Sequence, residues 1–350
     1  MARVYFLAAL NRARNASLEL KSTLESMAKP AKPILLIVTP YLADANNGNW
    51  RTAQRWARLL QSRYRVIVQA NAEGAAALDA TCMIALHARR SHPAVLEWRA
   101  RSTARPLIVT LTGTDLYRDL PEGNADASDS LEQADALIVL QDDALHHLPA
   151  PHRAKAHVIF QSAPALTPAI KPATRLNCAM VGHLRAEKDP LAVLRAWRTL
   201  PSAERIHLRH IGAMLDPELG AAARAFMQAE PRYRWLGALA HGVTRQAIKR
   251  AHLLLVPSLM EGGANVVVEA LTSGTAVLGT RMSGNIGMLG PDYPGLFPVG
   301  DSNALAALLL RCRHDRDFLR GIEACCRRRA HLFSPPAERR ALLRVVASLA

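Results

Sequence analysis

The stretch Leu253-Leu-Leu-Val-Pro-Ser-Leu-Met-Glu-Gly-Gly-Ala-Asn-Val-Val-Val-Glu-Ala270 decides how the rest of the chain is interpreted. Its first four residues predict a buried strand, its glycines a turn, and its last six residues the start of a helix. Glu261 lies on the turn, and Glu269 lies on the second turn of the helix. A glycine turn followed by helix amides can cradle a diphosphate, and the flanking carboxylates can accept hydrogen bonds from sugar hydroxyls. The stretch therefore predicts a site for a sugar phosphate.

Length and composition indicate a globular protein. The 350 residues suffice for two domains of ordinary size. Half of the residues are hydrophobic and 21% are charged, which is typical of a folded rather than a disordered chain. No apolar run approaches the ~18 residues that span a bilayer. The five cysteines have neither metal-ligand nor secreted-framework spacing, so we expect free thiols, a cytoplasmic protein and no integral membrane contact.

The chain is strongly basic. Its net charge of +15, from 44 Lys and Arg against 29 Asp and Glu, attracts nucleic acid, acidic lipid or phosphorylated small molecules. A GC-rich coding bias explains the excess of arginine equally well, because the arginines are scattered. A basic nucleic-acid-binding protein is the alternative from another class. Aromatic residues are only 5% and no compact basic stripe is present, so we expect no nucleic-acid partner.

Residues 1–31 form an extension ahead of the core. Their apolar part is too short and too poorly flanked for a secretory signal. Amphipathic membrane contact is one alternative. We favour initiation near Met27, because the strand that begins at Ile34 is the first core element.

The rest of the chain alternates short apolar runs with helical patterns. Strands are predicted at 34–38, 65–68, 83–86, 107–111, 137–140, 157–160, 178–181, 206–211, 233–235, 253–256 and 276–278. Helices are predicted near 50–61, 94–101, 143–148, 191–200, 218–230, 245–251, 265–272 and 304–311. This alternation is typical of parallel sheets covered by helices on both faces.

A proline-punctuated stretch at 164–172 is the best linker between two such units. We therefore predict a Rossmann-like acceptor domain at 32–168, a Rossmann-like nucleotide-sugar domain at 169–333, and a C-terminal helix at 334–350. Ligands of doubly wound sheets bind outside the carboxyl ends of the strands. The residues that follow each strand are therefore the candidates for chemistry.

Two further segments of the second domain follow strands. Between Val181 and Pro190 the chain concentrates His183, Arg185 and Lys188, which suit a diphosphate leaving group. A solvated loop capped by Asp189, with proline at the helix start, is the plain alternative. Residues 283–290 are rich in glycine and predict a loop that a ligand approaches closely. For the two glutamates the plain alternative is a surface turn acid and a helix acid.

Together these segments resemble the second domain of the GT-B glycosyltransferases, specifically the retaining family 4. Glu261 and Glu269 match its pair of acids at the same spacing, and Lys188 matches its diphosphate-binding lysine. The resemblance implies that Glu269 holds the nucleotide ribose and Glu261 the hydroxyls of the donated sugar. The family's arginine position is His183 here, so Arg185 is the substitute and diphosphate stabilisation becomes pH-dependent. The remaining donor-binding positions that we predict are Gly262, Gly263, Ala264, Asn265 and Gly48.

The first domain is then expected to bind the acceptor. Asn49 follows the glycine-bearing loop, His87 ends a strand, and Thr112-Gly113-Thr114-Asp115 follows another. Small hydroxyls, the Gly113 amide and nearby guanidinium groups suit an anionic acceptor. The plain alternatives are a satisfied strand-end histidine, and an ordinary turn with a helix cap.

Four strings resemble a narrower group, the selenosugar synthases of selenoneine biosynthesis. They are residues 112–118, 181–190, 260–265 and 284–290. The resemblance implies transfer of a sugar from a UDP-sugar, such as UDP-N-acetylglucosamine, to selenium of selenophosphate. We expect a metal-independent enzyme with no cofactor besides this co-substrate. A lipid- or polysaccharide-directed glycosyltransferase and a GT-B epimerase are the alternatives among enzymes.

Overall fold

The computed structural model describes residues 31–40 and 48–349. Residues 1–30 of the predicted extension, which include the proposed start at Met27, lie outside the described residues. The described strands are β1 Ile34–Val38, β2 Arg65–Gln69, β3 Ala80–Leu86, β4 Leu107–Thr110, β5 Ala136–Val139, β6 Ala156–Val158, β7 Leu176–Val181, β8 Ile206–Ile211, β9 Tyr233–Trp235, β10 Leu253–Val256, β11 Ala276–Thr280 and β12 Leu296–Phe297. They form two six-stranded parallel sheets, in the orders β2-β1-β3-β4-β5-β6 and β12-β11-β10-β7-β8-β9.

Helices connect these strands. They are α1 Gly48–Leu60, α2 Gly74–Asp79, α3 His92–Arg101, α4 Ala125–Gln133, α5 Ala144–His147, α6 Pro190–Thr199, α7 Pro217–Ala229, α8 His241–Arg250, α9 Asn265–Leu271, α10 Ser283–Leu289, α11 Ser302–His314, α12 Arg316–Arg329 and α13 Pro335–Ala347. A short π-helix spans Asp115–Asp119, and 3-10 turns span Ala150–Lys155, Ala186–Lys188 and Ala330–Phe333. The predicted α/β fold with two doubly wound sheets is confirmed.

Two predictions about local structure were wrong or incomplete. The glycine-rich segment at 283–290 is not a loop, because Ser283–Leu289 is helical and Asn285 is buried with its amide donating to the Thr280 carbonyl at 2.9 Å. The helices α4 and α12 were not predicted. Both are dominated by polar residues, so few apolar positions mark them in the sequence.

Buried tryptophans mark the packing of helices on the first sheet. Trp56 of α1 lies in the core on one face, and Trp98 of α3 lies in the core on the other. Both side chains are fully buried. Parallel sheets are covered in this way on both faces, which leaves the carboxyl ends of the strands free to carry ligand-binding residues.

The last helix returns to the first domain. Leu342 and Val345 of α13 are buried in the same core cluster as Leu35 and Trp56. Glu338, which is 1% exposed, accepts hydrogen bonds there from Arg55 Nε at 3.0 Å, from Trp56 Nε1 at 2.7 Å and from the Ser162 hydroxyl. The helix predicted at 334–350 is therefore present, and it completes the packing on the first sheet.

The proline-rich connection between the sheets is bound to the second domain. The backbone amide of Leu166 donates to the Thr272 carbonyl at 2.9 Å, and the Arg245 guanidinium donates to the Pro164 carbonyl at 2.9 Å. Arg245 is 8% exposed and also contacts the Thr272 and Ser273 hydroxyls. Its burial lowers the pKa of the guanidinium, which the charge of Glu269 partly offsets.

Candidate active site in the interdomain cleft

The Lys188 ammonium forms an ion pair with the Glu261 carboxylate. Glu261 also accepts a hydrogen bond from the Ser258 hydroxyl at 2.8 Å, and the side chains of Lys188 and Glu261 are 16% and 11% exposed. The Leu259 amide donates to the Glu187 carbonyl at 2.9 Å, which ties the turn after β10 to the loop after β7. The sequence therefore placed these two side chains correctly at one edge of the sheet. Each charge is neutralised by the other.

The second acid is paired in the same way. Glu269, which is 8% exposed, lies 2.6 Å from the Nε2 atom of His241, the first residue of α8. His241 was not among the predicted residues, although its place after β9 at a helix start is a detectable signal. A ligand hydroxyl that binds Glu269 must share this carboxylate with His241 or displace it.

His183 lies in the same loop but carries less charge than expected. Its Nδ1 atom accepts a hydrogen bond from the Ala213 amide at 3.0 Å, which requires a neutral ring at that nitrogen. Burial lowers the pKa of His183, and the charges of Arg185, Lys188 and Arg51 lower it further. The lowered pKa makes His183 less suited to a diphosphate than the sequence predicted. Arg51 of α1 belongs to the first domain, so its charge acts on His183 across the domain boundary.

A buried histidine supports the loop from behind. His210 at the end of β8 is fully buried, with Nε2 3.2 Å from the Gly182 carbonyl and Nδ1 3.0 Å from the Tyr233 hydroxyl. Nε2 therefore donates, and Nδ1 accepts from the hydroxyl. Burial lowers the pKa of His210 to about 4, so the ring is neutral at pH 7. His210 fixes the backbone from which the Lys188 loop departs.

Close backbone contacts surround Glu261, and some of them join the two domains. A Cβ atom added to Gly262 would lie 2.6 Å from the Gly113 amide nitrogen, and one added to Gly284 would lie 2.0 Å from the Glu261 carbonyl oxygen. Only glycine permits both approaches. Gly263 similarly lies against Leu140. In this structure Gly262 and Gly263 thus contact the first domain, where the sequence predicted a cradle for phosphate.

The space beside the Lys188–Glu261 pair is small. The cavity lined by Gly182, Lys188, Ser258 and Glu261 measures about 10 Å³. That volume holds no more than about one water molecule. A diphosphate is far larger than this space.

Two of the predicted acceptor residues, Asp115 and Gly113, make contacts within the protein. Asp115 is fully buried, and its oxygens accept from the Thr112 amide at 2.6 Å, the Thr112 hydroxyl at 3.0 Å, the Ala88 amide at 2.9 Å and the Leu116 amide at 3.1 Å. Asp115 therefore shapes the loop and exposes no oxygen to a ligand. Gly113, as described above, contacts Gly262 and lies directly at the domain boundary.

His87 occupies a strained backbone position at the end of β3. Its φ angle is 81°, in the left-handed region, which costs a non-glycine residue roughly 1–3 kcal/mol. Nδ1 accepts from the Arg90 amide at 3.4 Å, so Nε2 donates to the Thr114 hydroxyl at 2.9 Å. The strain and this bond fix the ring beside Thr114. The plain alternative, a satisfied strand-end histidine, describes the same contacts.

The start of α1 in the first domain lies close to the start of α9 in the second. An added Cβ at Gly48 would lie 4.0 Å from the Asn265 amide nitrogen, and Arg55 donates to Asn265 Oδ1 at 3.2 Å. Asn49 lies next to Gly48 at the beginning of α1, and Ala264, which is 5% exposed, precedes α9. The structure therefore brings Gly48 and Asn265 together, as predicted from their separate positions after strands.

A polar contact missed by sequence reasoning lies between the domains. The Tyr117 hydroxyl is 2.9 Å from the Ser283 hydroxyl, and Gln141 donates to Tyr117 at 2.7 Å and to Ser283 at 3.3 Å. Burial raises the pKa of Tyr117 to about 12. Tyr117 follows the predicted Thr112–Asp115 loop, which was the available signal.

Part of the chain resembles a known family. Residues 175–315 match the family model of the group 1 glycosyl transferases. The match lies within the second domain, and that part of the chain resembles glycosyltransferases of this group. The matched region contains Lys188, Glu261 and Glu269. Among curated proteins, no sequence matches the chain.

Solved structures share the fold at low sequence identity. Sucrose-phosphate synthase from Thermosynechococcus elongatus has a TM-score of 0.73 at 17% identity, covering 91% of this chain and 99% of that one. Anabaena Alr3699/HepE in complex with UDP and glucose has a TM-score of 0.69 at 15% identity, covering 91% and 100%. A glycosyltransferase from Rickettsia africae has a TM-score of 0.72 at 12% identity, covering 91% and 99%. These likenesses confirm the predicted GT-B fold.

Two kinds of feature are absent from the part of the chain that the structure describes. Residues 31–40 and 48–349 contain no cluster of three His, Cys, Asp or Glu placed to hold a metal ion. Within the same ranges, no helix is long and apolar enough to cross a membrane.

Proposed function

We propose that this glycosyltransferase moves a sugar from a UDP-sugar, UDP-N-acetylglucosamine or a similar donor, to selenium of selenophosphate. In this step the bond between the anomeric carbon and the UDP oxygen breaks, and a carbon–selenium bond forms. UDP leaves with the electron pair. Hydrolysis of the selenium–phosphorus bond then releases phosphate and a selenosugar.

One observation carries the donor half of this proposal. Lys188, Glu261 and Glu269 lie at the carboxyl edge of the second sheet, where nucleotides bind in doubly wound folds. The structural neighbour from Anabaena is in complex with UDP and glucose, and it covers nearly this whole chain. A single cation and two acids there match a diphosphate with a sugar on one side and a ribose on the other.

The paired charges define how the site works. When the donor binds, its diphosphate takes the Lys188 ammonium, which frees Glu261 to accept hydrogen bonds from the sugar hydroxyls. Glu269 accepts from the ribose in place of His241. The negative charge on the leaving UDP grows during bond cleavage, and a preplaced ammonium stabilises that charge most in the transition state. Lys188 therefore contributes mainly to turnover.

An anionic acceptor fits the charge of the cleft. Arg51 of the first domain acts on the same loop that holds Arg185 and Lys188, so an anion between the domains meets cations from both sides. Selenophosphate is a strong nucleophile, so it needs no dedicated general base. Orientation beside the anomeric carbon supplies much of the rate. The choice of selenium as the acceptor atom is supported by the sequence resemblance of residues 112–118, 181–190, 260–265 and 284–290.

The test is a reaction with defined substrates. The protein is incubated with UDP-N-acetylglucosamine and selenophosphate, and the products are identified by mass spectrometry. Thiophosphate and a polyprenyl phosphate are run as alternative acceptors. A Lys188→Ala variant is the negative control, and Arg340→Ala, a change at an exposed arginine of α13, is the matched control.

Each outcome bears on a separate part of the proposal. A selenosugar formed by the native protein and the Arg340 variant, but not by the Lys188 variant, supports the whole reaction. Transfer to the polyprenyl phosphate alone refutes the acceptor while keeping the donor. If none of the acceptors causes release of UDP, the donor assignment is refuted.

A further inference from the structure

A second basic concavity lies at the opposite end of the second sheet. A cavity of about 220 Å³ opens where β7, β8 and β9 begin, beside the end of α8. The candidate active site lies beyond the carboxyl ends of the same strands. The cavity is thus separated from that site by the length of the sheet.

The strand register concentrates positive charge in this cavity. Arg209 of β8 pairs directly with Arg234 of β9, and Ala179 of β7 pairs with Arg209 on its other side. Residues paired in this way project from the same face of the sheet. Like charges directly opposite each other on neighbouring strands are destabilising. An arginine pair in register therefore gives this face a local excess of positive charge that an anion would offset.

Two further arginines border the cavity. Arg175 precedes β7 and Arg250 ends α8, and both are exposed. Within residues 31–40 and 48–349, no acid forms an ion pair with Arg175, Arg209, Arg234 or Arg250. The remaining arginine of the lining, Arg232, is bound to Glu230 at 2.7 Å.

Small residues make the concavity. Ala179 and Ala251 are buried in its floor, and Ala247 of α8 lies beside them. Short side chains at these positions leave the space that a longer side chain would fill. His207 lies on the same face as Arg209. Burial lowers its pKa most, the charges of Arg175, Arg205 and Arg232 lower it further, and Glu230 opposes the change.

We propose that this cavity binds a phosphate-bearing ligand at a site separate from the donor site. Arginine recognises phosphate through paired N–H donors, and Arg209 and Arg234 present two guanidinium groups side by side. A volume of about 220 Å³ suits one or two phosphate groups rather than a whole nucleotide. The ligand is either a free phosphate compound or the headgroup of a phospholipid.

Protection of the sheet edge is the competing explanation. Strand β9 is the last strand of its sheet, and charged residues on edge strands prevent pairing with other chains. That role requires exposed charge on β9 alone. It requires neither a concave floor of alanines nor an arginine at the matching position of the inner strand.

The experiment uses the full chain and two double variants. Arg209→Gln with Arg234→Gln removes the registered pair, and Arg63→Gln with Arg340→Gln removes the same charge from exposed positions elsewhere. Binding of inorganic pyrophosphate is measured by titration calorimetry. Co-sedimentation is measured with phosphatidylcholine vesicles that contain or lack phosphatidylglycerol. Lys188→Ala is included because pyrophosphate also fits the proposed donor site.

We expect the variant with Arg209→Gln and Arg234→Gln to bind either pyrophosphate or the phosphatidylglycerol vesicles at least about tenfold more weakly than the native chain does. The variant with Arg63→Gln and Arg340→Gln is expected to bind both as the native chain does. Loss of pyrophosphate binding indicates a soluble ligand, and loss of vesicle binding alone indicates a headgroup. The urea midpoint of the variant with Arg209→Gln and Arg234→Gln is expected to equal or exceed that of the native chain, because repulsion is relieved. Equal losses in both double variants, or loss only with Lys188→Ala, overturn the proposal.

Discussion

Replacement of Glu338 by alanine tests whether the last helix holds the first domain together. The carboxylate is buried and accepts from Arg55, Trp56 and Ser162, so its removal leaves three donors without their acceptor. The Arg55 side chain is only 15% exposed. Removal of one partner from a buried ion pair costs about 3–5 kcal/mol. Arg55 keeps its bond to Asn265, so we expect the lower end, about 3 kcal/mol.

The assay is urea unfolding followed by tryptophan fluorescence, since Trp56 contacts the deleted group. Glu338→Gln is expected to fall between the native chain and the alanine variant, because it keeps one acceptor oxygen. Asp317→Ala is the matched control, since the side chains of Asp317 and its partner Arg320 are 90% and 68% exposed. An exposed pair contributes about 0–1 kcal/mol. If the free energy of unfolding falls no further for Glu338→Ala than for Asp317→Ala, the reasoning is refuted.

Further predictions concern the proposed donor site and the buried histidine behind it. Lys188→Ala is expected to lower kcat more than donor affinity, because the ammonium stabilises growing charge; steady-state kinetics with an unchanged kcat would remove it from the mechanism. Glu269→Ala is expected to weaken UDP-sugar binding by about 1.5–3 kcal/mol, and calorimetry showing unchanged affinity would contradict the ribose assignment. Turnover should persist in EDTA, since Lys188 replaces a divalent ion; loss of turnover would show a metal requirement. His210 is neutral in the folded protein and gains a proton on unfolding below pH 6.5, so stability is expected to fall as the pH drops from about 6.5 towards 4. In urea unfolding, His210→Gln should make this fall in stability shallower. An unchanged dependence on pH in the variant would contradict the prediction.

Strand positions were predictable because buried parallel strands are short and continuously apolar. The run at 253–256 and the run at 206–211 coincide with β10 and β8. The prediction of a loop at residues 283–290 was wrong because glycine occurs in proteins for two different structural reasons. Gly284 lies inside α10 and permits contact with the Glu261 backbone, whereas a loop glycine permits turning. Sequence alone does not distinguish close packing from a turn.

Within the site, residue types and spacing placed Lys188, Glu261 and Glu269 at one edge of the sheet. Their partners were not predicted, because His241 and Ser258 reach them through tertiary contacts. The protonation of His183 was also beyond the sequence. It depends on the Ala213 amide and on burial, neither of which a linear pattern contains.

The return of α13 to the first sheet makes the first domain discontinuous along the chain. Its core includes Leu342 and Val345, so it cannot finish packing on the ribosome until the second domain has been synthesised. Two chain segments therefore cross between the domains, one near Pro164 and one near Ser334. These two crossings define an axis. Any relative motion of the domains is therefore expected to be a rotation about the line that joins the crossings, because the two connections prevent free separation. The same arrangement means that a fragment ending at the first crossing lacks part of its own core.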